Sequence, residues 1–445
     1  MPDYRLVADT VAADIAAGRL GPGDQLPPQR RFARQHGIAS STAARVYGEL
    51  IRRGLVVGEV GRGTFVRAGA PEPDVALAEP ARVEVDLELN FSVLPEQAGL
   101  IAASLTRMLH PATLATSLWP GAAGGTPAAR EAAAALLARP DWAPEPDHIL
   151  FAGNGRQAIA ATIAALVPTG QRLGVEELTY PMVKGIAARL GVTLVPIAVD
   201  DDGLDPAALA AAHRATPLRA VYVQPTLHNP LGRTMPEGRQ VELAATLARL
   251  DLVVIEDAIY GFLRDDQPPL AHRIPERTIV VDSLSKRLAP GLTVGFTITP
   301  PWLTERVAAA LRSGGWLAQR FALDASVEWV NDGTAATVQA AKQRDAATRQ
   351  RITADRLAGF TVQADPRAYH CWWRLPEPWR AETFVAAAAR RGIAITPAAA
   401  FTVGPGHAPN AVRLAVAAPP VETLTRALDV LAALARSTPE ATGVE

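Results

Sequence analysis

A single cysteine, Cys371, occurs in 445 residues. That excludes an internal disulfide framework and any zinc site built from several thiolates. Charge is close to balanced, with a formal net of −1, so no global field draws the chain to nucleic acid or to an anionic membrane. Binding of that kind would need a local patch. No apolar run is long and unbroken enough to cross a bilayer. The opening Met1-Pro2-Asp3-Tyr4-Arg5 is polar and has no apolar targeting core. The eight histidines show no ligand spacing on a shared helix face, so no metal site is expected. Together these absences predict a soluble, cytoplasmic protein with no membrane partner. The scarcest charged residue is lysine: Lys184, Lys286 and Lys342 are the only three among 44 lysines and arginines.

What is present is ample for a core. Apolar residues make up 49% of the chain and charged residues 20%, the balance of an ordinary globular protein. The length predicts roughly two or three domains.

The first domain spans residues 1–67. Leu6, Val7, Val11 and Ile15 recur at helical spacing before Gly18. A second helix carries Arg30, Phe32, Ala33 and His36. A capping run, Ala39 to Thr42, precedes a third helix from about Ala43 to Arg53, with Arg45, Arg52 and Arg53 on its polar side. Two short apolar segments around Val56 and Phe65 predict a two-stranded wing. Helix, helix-turn-helix, hairpin is the order of a winged helix-turn-helix. Ten arginines oppose six acids within residues 1–67, a local positive surplus of the kind phosphate binding needs.

Three segments of this domain carry a resemblance: Gly18-Arg19-Leu20-Gly21-Pro22-Gly23-Asp24-Gln25-Leu26-Pro27, Val46-Tyr47-x-x-Leu50 and Gly61-Arg62-Gly63-Thr64-Phe65-Val66. They make it similar to the GntR-type DNA-binding domain. The resemblance implies that Arg30, then Ser40, Ser41 and Thr42 at the start of the third helix, and Arg62 with Gly63 in the wing approach double-stranded DNA. Arg45 is free to join them. Where that family often has Ser-Arg, this chain has Ala39-Ser40, a change that would alter operator preference and not the fold.

Residues 68–85, rich in proline, alanine and acid, are expected to be a linker. A larger body, residues 86–436, follows, with a smaller α+β subdomain over roughly 300–436 and a tail at 437–445. From about Ile149 apolar strands alternate with helices, which predicts an α/β domain with a mainly parallel sheet. Ligands of such sheets sit beyond the carboxyl ends of the strands, and polar clusters fall there. Gly153-Asn154-Gly155-Arg156-Gln157 opens a helix whose amides could hold a phosphate. Tyr180 offers an aromatic face. Asn229, Asp257 with Tyr260, and Ser283 with Lys286 are each separated by about one βα unit. Arginine cannot serve as an amine nucleophile, whereas a desolvated lysine can, so Lys286 suits Schiff-base chemistry with an aldehyde cofactor.

This constellation resembles the fold-type I aminotransferases, which bind pyridoxal 5′-phosphate. The resemblance implies Lys286 as the Schiff-base lysine and Asp257 as partner of the pyridine nitrogen. Asn229 and Tyr260 would contact the ring oxygen, Tyr180 would stack, and Ser283, Gly155 and Arg156 would bind phosphate. Arg413, in Ala411-Val412-Arg413-Leu414-Ala415, would take a substrate or effector carboxylate. Two positions depart from the pattern. Thr293 stands where a phosphate-binding arginine is common, and Trp119 where a partner subunit's tyrosine is usual. Arg156 or Arg287 could compensate.

The two halves together resemble the MocR subfamily of bacterial transcription regulators. That resemblance implies a homodimer that binds an operator and senses an amino compound through aldimine exchange at Lys286. Two alternatives are an aminotransferase carrying a DNA-binding module and a DNA-binding regulator whose large domain has lost the cofactor.

Overall fold

The computed structural model describes residues 4–21, 23–52, 55–59, 63–66, 83–404 and 408–439. Arg62, Arg53 and most of the expected linker lie outside the described residues, as does the end of the expected tail.

In the first domain, helices α1 (Tyr4–Ala16), α2 (Gln29–Gln35) and α3 (Ser40–Arg52) enclose a core of Val11, Phe32, Val46 and Leu50. The chain leaves α1 through Gly18 at φ 72° and leaves α2 through Gly37 at φ 61°, the left-handed geometry that favours glycine. Helix α3 begins earlier than its apolar pattern predicts. Ser40, Ser41 and Thr42 form its first turn and do not precede it. The wing strands β2 (Val56–Glu59) and β3 (Gly63–Val66) pair antiparallel as expected. A third short strand, β1 (Gln25–Leu26), joins β3 on its other edge.

The body begins at β4 (Val85–Asp86), which pairs in parallel with β16 (Ile393–Ala394) of the C-terminal subdomain. Helices α4 (Gln97–Met108), α5 (Pro111–Ser117) and α6 (Pro127–Leu137) follow. The large sheet has seven strands, in the order β5 (Ile149–Ala152), β13 (Gly295–Ile298), β12 (Thr278–Ser283), β11 (Val253–Asp257), β10 (Ala220–Val223), β6 (Arg172–Glu176) and β7 (Thr193–Ile197). All neighbours are parallel except β13, which is antiparallel to both β12 and β5. That strand was not evident in the sequence. It follows β12 after one short helix, too few residues for the crossover that a parallel return requires. Strands β10, β11 and β12 are buried along their whole length, the reason they read as unbroken apolar runs.

One face of the sheet packs on α7 (Gly155–Leu166) and the helices Pro181–Leu190 and Pro301–Ser313, around Ile159, Ile163, Val183 and Val307. The other face packs on Leu209, Leu243 and Leu247 from the helices Pro206–Ala215 and Glu237–Arg249. A hairpin, β8 (Val199–Asp200) with β9 (Gly203–Leu204), caps one edge. Helix Arg320–Asn331 ends, Gly333 takes φ 81°, and helix Thr334–Arg356 begins. The C-terminal sheet runs β14 (Thr361–Gln363), β15 (His370–Arg374), β18 (Ala411–Ala415), β17 (Thr396–Pro397). It sets Arg413 opposite Trp372 and Thr396.

Candidate functional site

Strands β10, β11 and β12 are consecutive in the sheet, so the segments leaving their carboxyl ends converge. A cavity of about 660 Å3 opens there. Its lining includes Tyr180, Asn229, Asp257, Tyr260, Ser283 and Lys286. Gly155, Arg156 and Arg413 line it as well, so every cofactor and effector residue expected from sequence faces one space.

Asp257 closes β11 at the floor of the cavity. Its carboxylate accepts hydrogen bonds from the Tyr222 hydroxyl at 2.5 Å, the Gln224 amide at 2.9 Å and the Ile259 N–H at 3.1 Å. Burial pushes its pKa up to about 6 against those three donors. Neither Tyr222 nor Gln224 was singled out from sequence. Tyr222 sits inside a buried aliphatic strand, and a phenol there needs a polar partner; that mismatch was the available signal.

Lys286 lies in the single turn Leu284–Arg287 after β12. Its amine donates to the Asn90 carbonyl at 2.5 Å and lies 3.4 Å from the centre of the Phe91 ring. Burial first, then the positive charges of Arg413, Arg156 and Lys342, hold its pKa well below the ordinary lysine value. A neutral amine at this position can attack a carbonyl carbon. Asn90 also donates through Nδ2 to the Tyr260 hydroxyl at 2.8 Å, and its Oδ1 is buried without a partner. The segment carrying Asn90 and Phe91 has no motif, so it could not be placed from sequence.

At the opposite end, α7 starts behind Asn154, whose Oδ1 caps the Gln157 N–H at 3.0 Å. A Cβ added to Gly155 would stand 3.1 Å from Ser283 Oγ, so bare backbone and a hydroxyl meet without an intervening side chain. Thr293 contributes a hydroxyl 2.8 Å from Ser285 Oγ. Of the two arginines considered as compensation, Arg287 is committed elsewhere: it pairs with Asp282 at 2.8 Å and donates to Gln339 at 2.9 Å. Arg156 lines the cavity together with Tyr180, and its charge acts on the Tyr180 hydroxyl. Trp119 is 72% exposed and lies outside this cavity.

Arg413 is buried on β18. Its Nη2 donates to the Glu88 carbonyl at 2.6 Å and to Thr396 Oγ1 at 2.8 Å, while Nε is buried with no partner. A buried guanidinium donor left open is suited to a carboxylate. The set as a whole fits pyridoxal phosphate: a soft amine, a buried carboxylate, phenols, an amide and a small-residue cup beside a guanidinium.

The two other lysines brace this site. Lys342, fully buried, donates to the carbonyl oxygens of Lys286, at 2.8 Å, and Leu288. Lys184 donates to the Ala400 carbonyl at 2.9 Å, next to Phe401 on the cavity wall.

The wing of the first domain reaches the same wall. Val57 and Phe65 are buried in one cluster with Leu178, Leu231, Trp372, Phe401 and Ala408. The Ala408 N–H donates to the Gly58 carbonyl at 2.8 Å, and the Arg380 guanidinium lies 3.8 Å from the Phe65 ring centre. Of the residues expected to meet DNA, Arg30, Ser40, Ser41 and Arg45 are exposed and Thr42 and Gly63 half-buried. The Arg45 guanidinium stacks 4.1 Å above the Tyr4 ring.

Comparison with known proteins agrees with this two-part layout. Residues 121–431 match the model for aminotransferase class I and II, and residues 3–66 the model for bacterial regulatory proteins of the gntR family. The chain is 31% identical over 434 residues to YdeF, an HTH-type transcriptional regulator of Bacillus subtilis strain 168, covering 97% of this chain and 94% of that one. It is 29% identical over 315 residues to the HTH-type pyridoxine biosynthesis transcriptional regulator PdxR of Corynebacterium glutamicum, covering 67% and 66%. Among solved structures, an archaeal alanine:glyoxylate aminotransferase superposes with a TM-score of 0.72 at 21% identity, over 80% of this chain and 91% of that one. Among the described residues no helix is long and apolar enough to cross a membrane.

Proposed function

The chain belongs to the class I and II aminotransferase family and carries a gntR-family domain ahead of it, the MocR-type architecture, and from that premise we propose that it is a DNA-binding transcription regulator controlled by an amino compound. Phe401 carries this reading. It lines the cavity and is buried against the wing residues Phe65 and Val57, so a change at the cavity wall has a short packed route to the DNA-binding domain. An effector shifts DNA affinity only as far as it binds the two states differently.

Pyridoxal phosphate, when bound, supplies an aldehyde that a primary amine captures and a ring that draws electrons from it. Lys286 is the chain's own amine for that aldehyde, and its depressed pKa keeps it a nucleophile. Asp257, fixed by Tyr222 and Gln224, would be the partner of the pyridine nitrogen and favour its protonated form. Asn229 and Tyr260 would contact the ring oxygen, Tyr180 would stack on the ring, and Gly155, Arg156 and Ser283 would hold the phosphate. Arg413 receives the effector's carboxylate.

On the other domain, Arg30, Ser40, Ser41, Thr42, Arg45 and Gly63 would face double-stranded DNA. A second copy of the chain would cover the apolar side chains left open near α4 and α5, where Leu109, Leu118 and Trp119 are 63%, 78% and 72% exposed.

The test is fluorescence anisotropy with the DNA upstream of the protein's own gene, in the presence of pyridoxal phosphate and single amino acids. A regulator shows an affinity that one amine changes several-fold and Lys286→Ala no longer changes. Steady conversion of an amino donor and a keto acid, with DNA affinity constant, would instead support the aminotransferase reading.

A further inference from the structure

Four carboxylates line the cavity: Asp86, Glu88, Asp257 and Asp282. Three have structural partners. Asp86 Oδ1 accepts from the Glu88 and Leu89 N–H groups at 2.7 and 2.9 Å. Asp257 is held by Tyr222 and Gln224, and Asp282 by Arg287. The Glu88 carboxylate has no hydrogen bond or ion pair among the described residues, although burial raises its pKa and only the charge of Arg413 opposes that rise appreciably. An unpaired carboxylate on the wall of an open cavity is available to a cationic group of a ligand.

Its place in the cavity says which cation. The cofactor's contacts would use Lys286, Asp257, Tyr260, Asn229, Tyr180 and the phosphate cup, none of which involves Glu88. The Glu88 carbonyl is bonded to Arg413 Nη2 at 2.6 Å, and the Glu88 carboxylate feels the Arg413 charge, so this residue neighbours a guanidinium whose Nε is buried and unpartnered. A ligand seated on Arg413 by its carboxylate therefore meets a negative charge within the same part of the cavity. A plain apolar side chain would leave that charge uncompensated, and an acidic one would add a second.

We propose that Glu88 selects the effector, and that the effector is a diamino carboxylic acid: one amine for the cofactor aldehyde, one carboxylate for Arg413 and a second cationic group for Glu88. This rests on the reading of the cavity as an amine-effector site. Glu88 acts by charge complementarity and takes no part in the capture of the amine.

The experiment compares lysine and ornithine with norleucine and norvaline, their uncharged counterparts, and with glutamate. Binding is read by calorimetry and by the visible spectrum of the cofactor-loaded protein, with wild type beside Glu88→Gln. A charge-assisted hydrogen bond corresponds to roughly 10- to 100-fold in affinity. The expected result is a preference of that size for the diamino acids, with glutamate weakest, that collapses toward parity in Glu88→Gln. Melting curves of the variant with cofactor alone report whether its fold is retained. Equal binding of lysine and norleucine by wild type, or an unchanged preference in a folded Glu88→Gln, overturns the proposal. If no amine binds or shifts the spectrum, the amine-sensor reading itself falls, and this inference with it.

Discussion

Lys342 Nζ donates a hydrogen bond to the backbone carbonyl of Lys286 at 2.8 Å. One lysine thus fixes the chain that presents the other. Burial lowers the Lys342 pKa to about 7. In the unfolded chain a lysine titrates near 10.4, so between those two values the unfolded state binds more protons than the native state. Stability from this group therefore rises as pH increases from about 7 toward about 10.4. Urea midpoints of cofactor-free protein across that window should climb more steeply for wild type than for Lys342→Met. The variant should also lose about 1–3 kcal/mol from the two carbonyls it leaves unpaired. Identical pH slopes for the two proteins would rule out a neutral buried lysine here.

Lys286→Ala removes the only lysine amine lining the cavity. With pyridoxal phosphate supplied, wild type should develop a visible band that resists gel filtration, and the variant should not. DNA binding without effector should survive in the variant, because Lys286 belongs to the cavity lining and not to the DNA-binding domain. A band of equal strength in both would mean that the aldehyde is held by a different group.

Phe65→Ala tests the route between the halves. Phe65 is fully buried, and truncating such a phenyl ring typically costs 3–5 kcal/mol of packing. The expected outcome is a cofactor spectrum that still responds to effector while the anisotropy titration no longer does. Retained coupling in a folded Phe65→Ala protein would show that the signal takes another path.

Arg30→Ala and Arg45→Ala address the DNA face, on which both side chains are exposed. Removing one guanidinium that neutralises a phosphate should reduce the slope of log affinity against log salt by about 0.9. A variant that weakens binding with its salt slope unchanged would place that arginine at a base edge or off the DNA.

Much of this arrangement was legible because strongly apolar strands announce themselves and the sheet's parallel order fixes where their ends go. The spacing of Asn229, Asp257 and Lys286 predicts that neighbouring strand ends bring them together, and β10, β11 and β12 do lie side by side. What escaped was carried by contacts distant in sequence. Asn90 precedes the sheet entirely, yet its side chain reaches Tyr260 and its carbonyl reaches Lys286. Tyr222 has the pattern of an apolar strand residue, and only its contact with Asp257 reveals a polar role. Phe65 read as the core of a small wing; it is buried against Trp372 and Phe401, more than 300 residues away. No periodicity within either domain encodes a surface shared between them.

The three lysines have a consequence for selectivity toward reagents. An aldehyde such as the cofactor condenses with almost any accessible primary amine, and ordinary proteins display many of them at the surface. Here Lys342 is fully buried, Lys184 is half-buried and bonded to Ala400, and Lys286 faces the cavity. With arginine supplying the surface charge, the half-buried Lys184 is the one side-chain amine outside the cavity with any exposure to compete for the aldehyde. Amine-directed labels and crosslinkers should therefore find few side-chain targets, Lys286 in the cavity and the half-buried Lys184 beside the chain's α-amine.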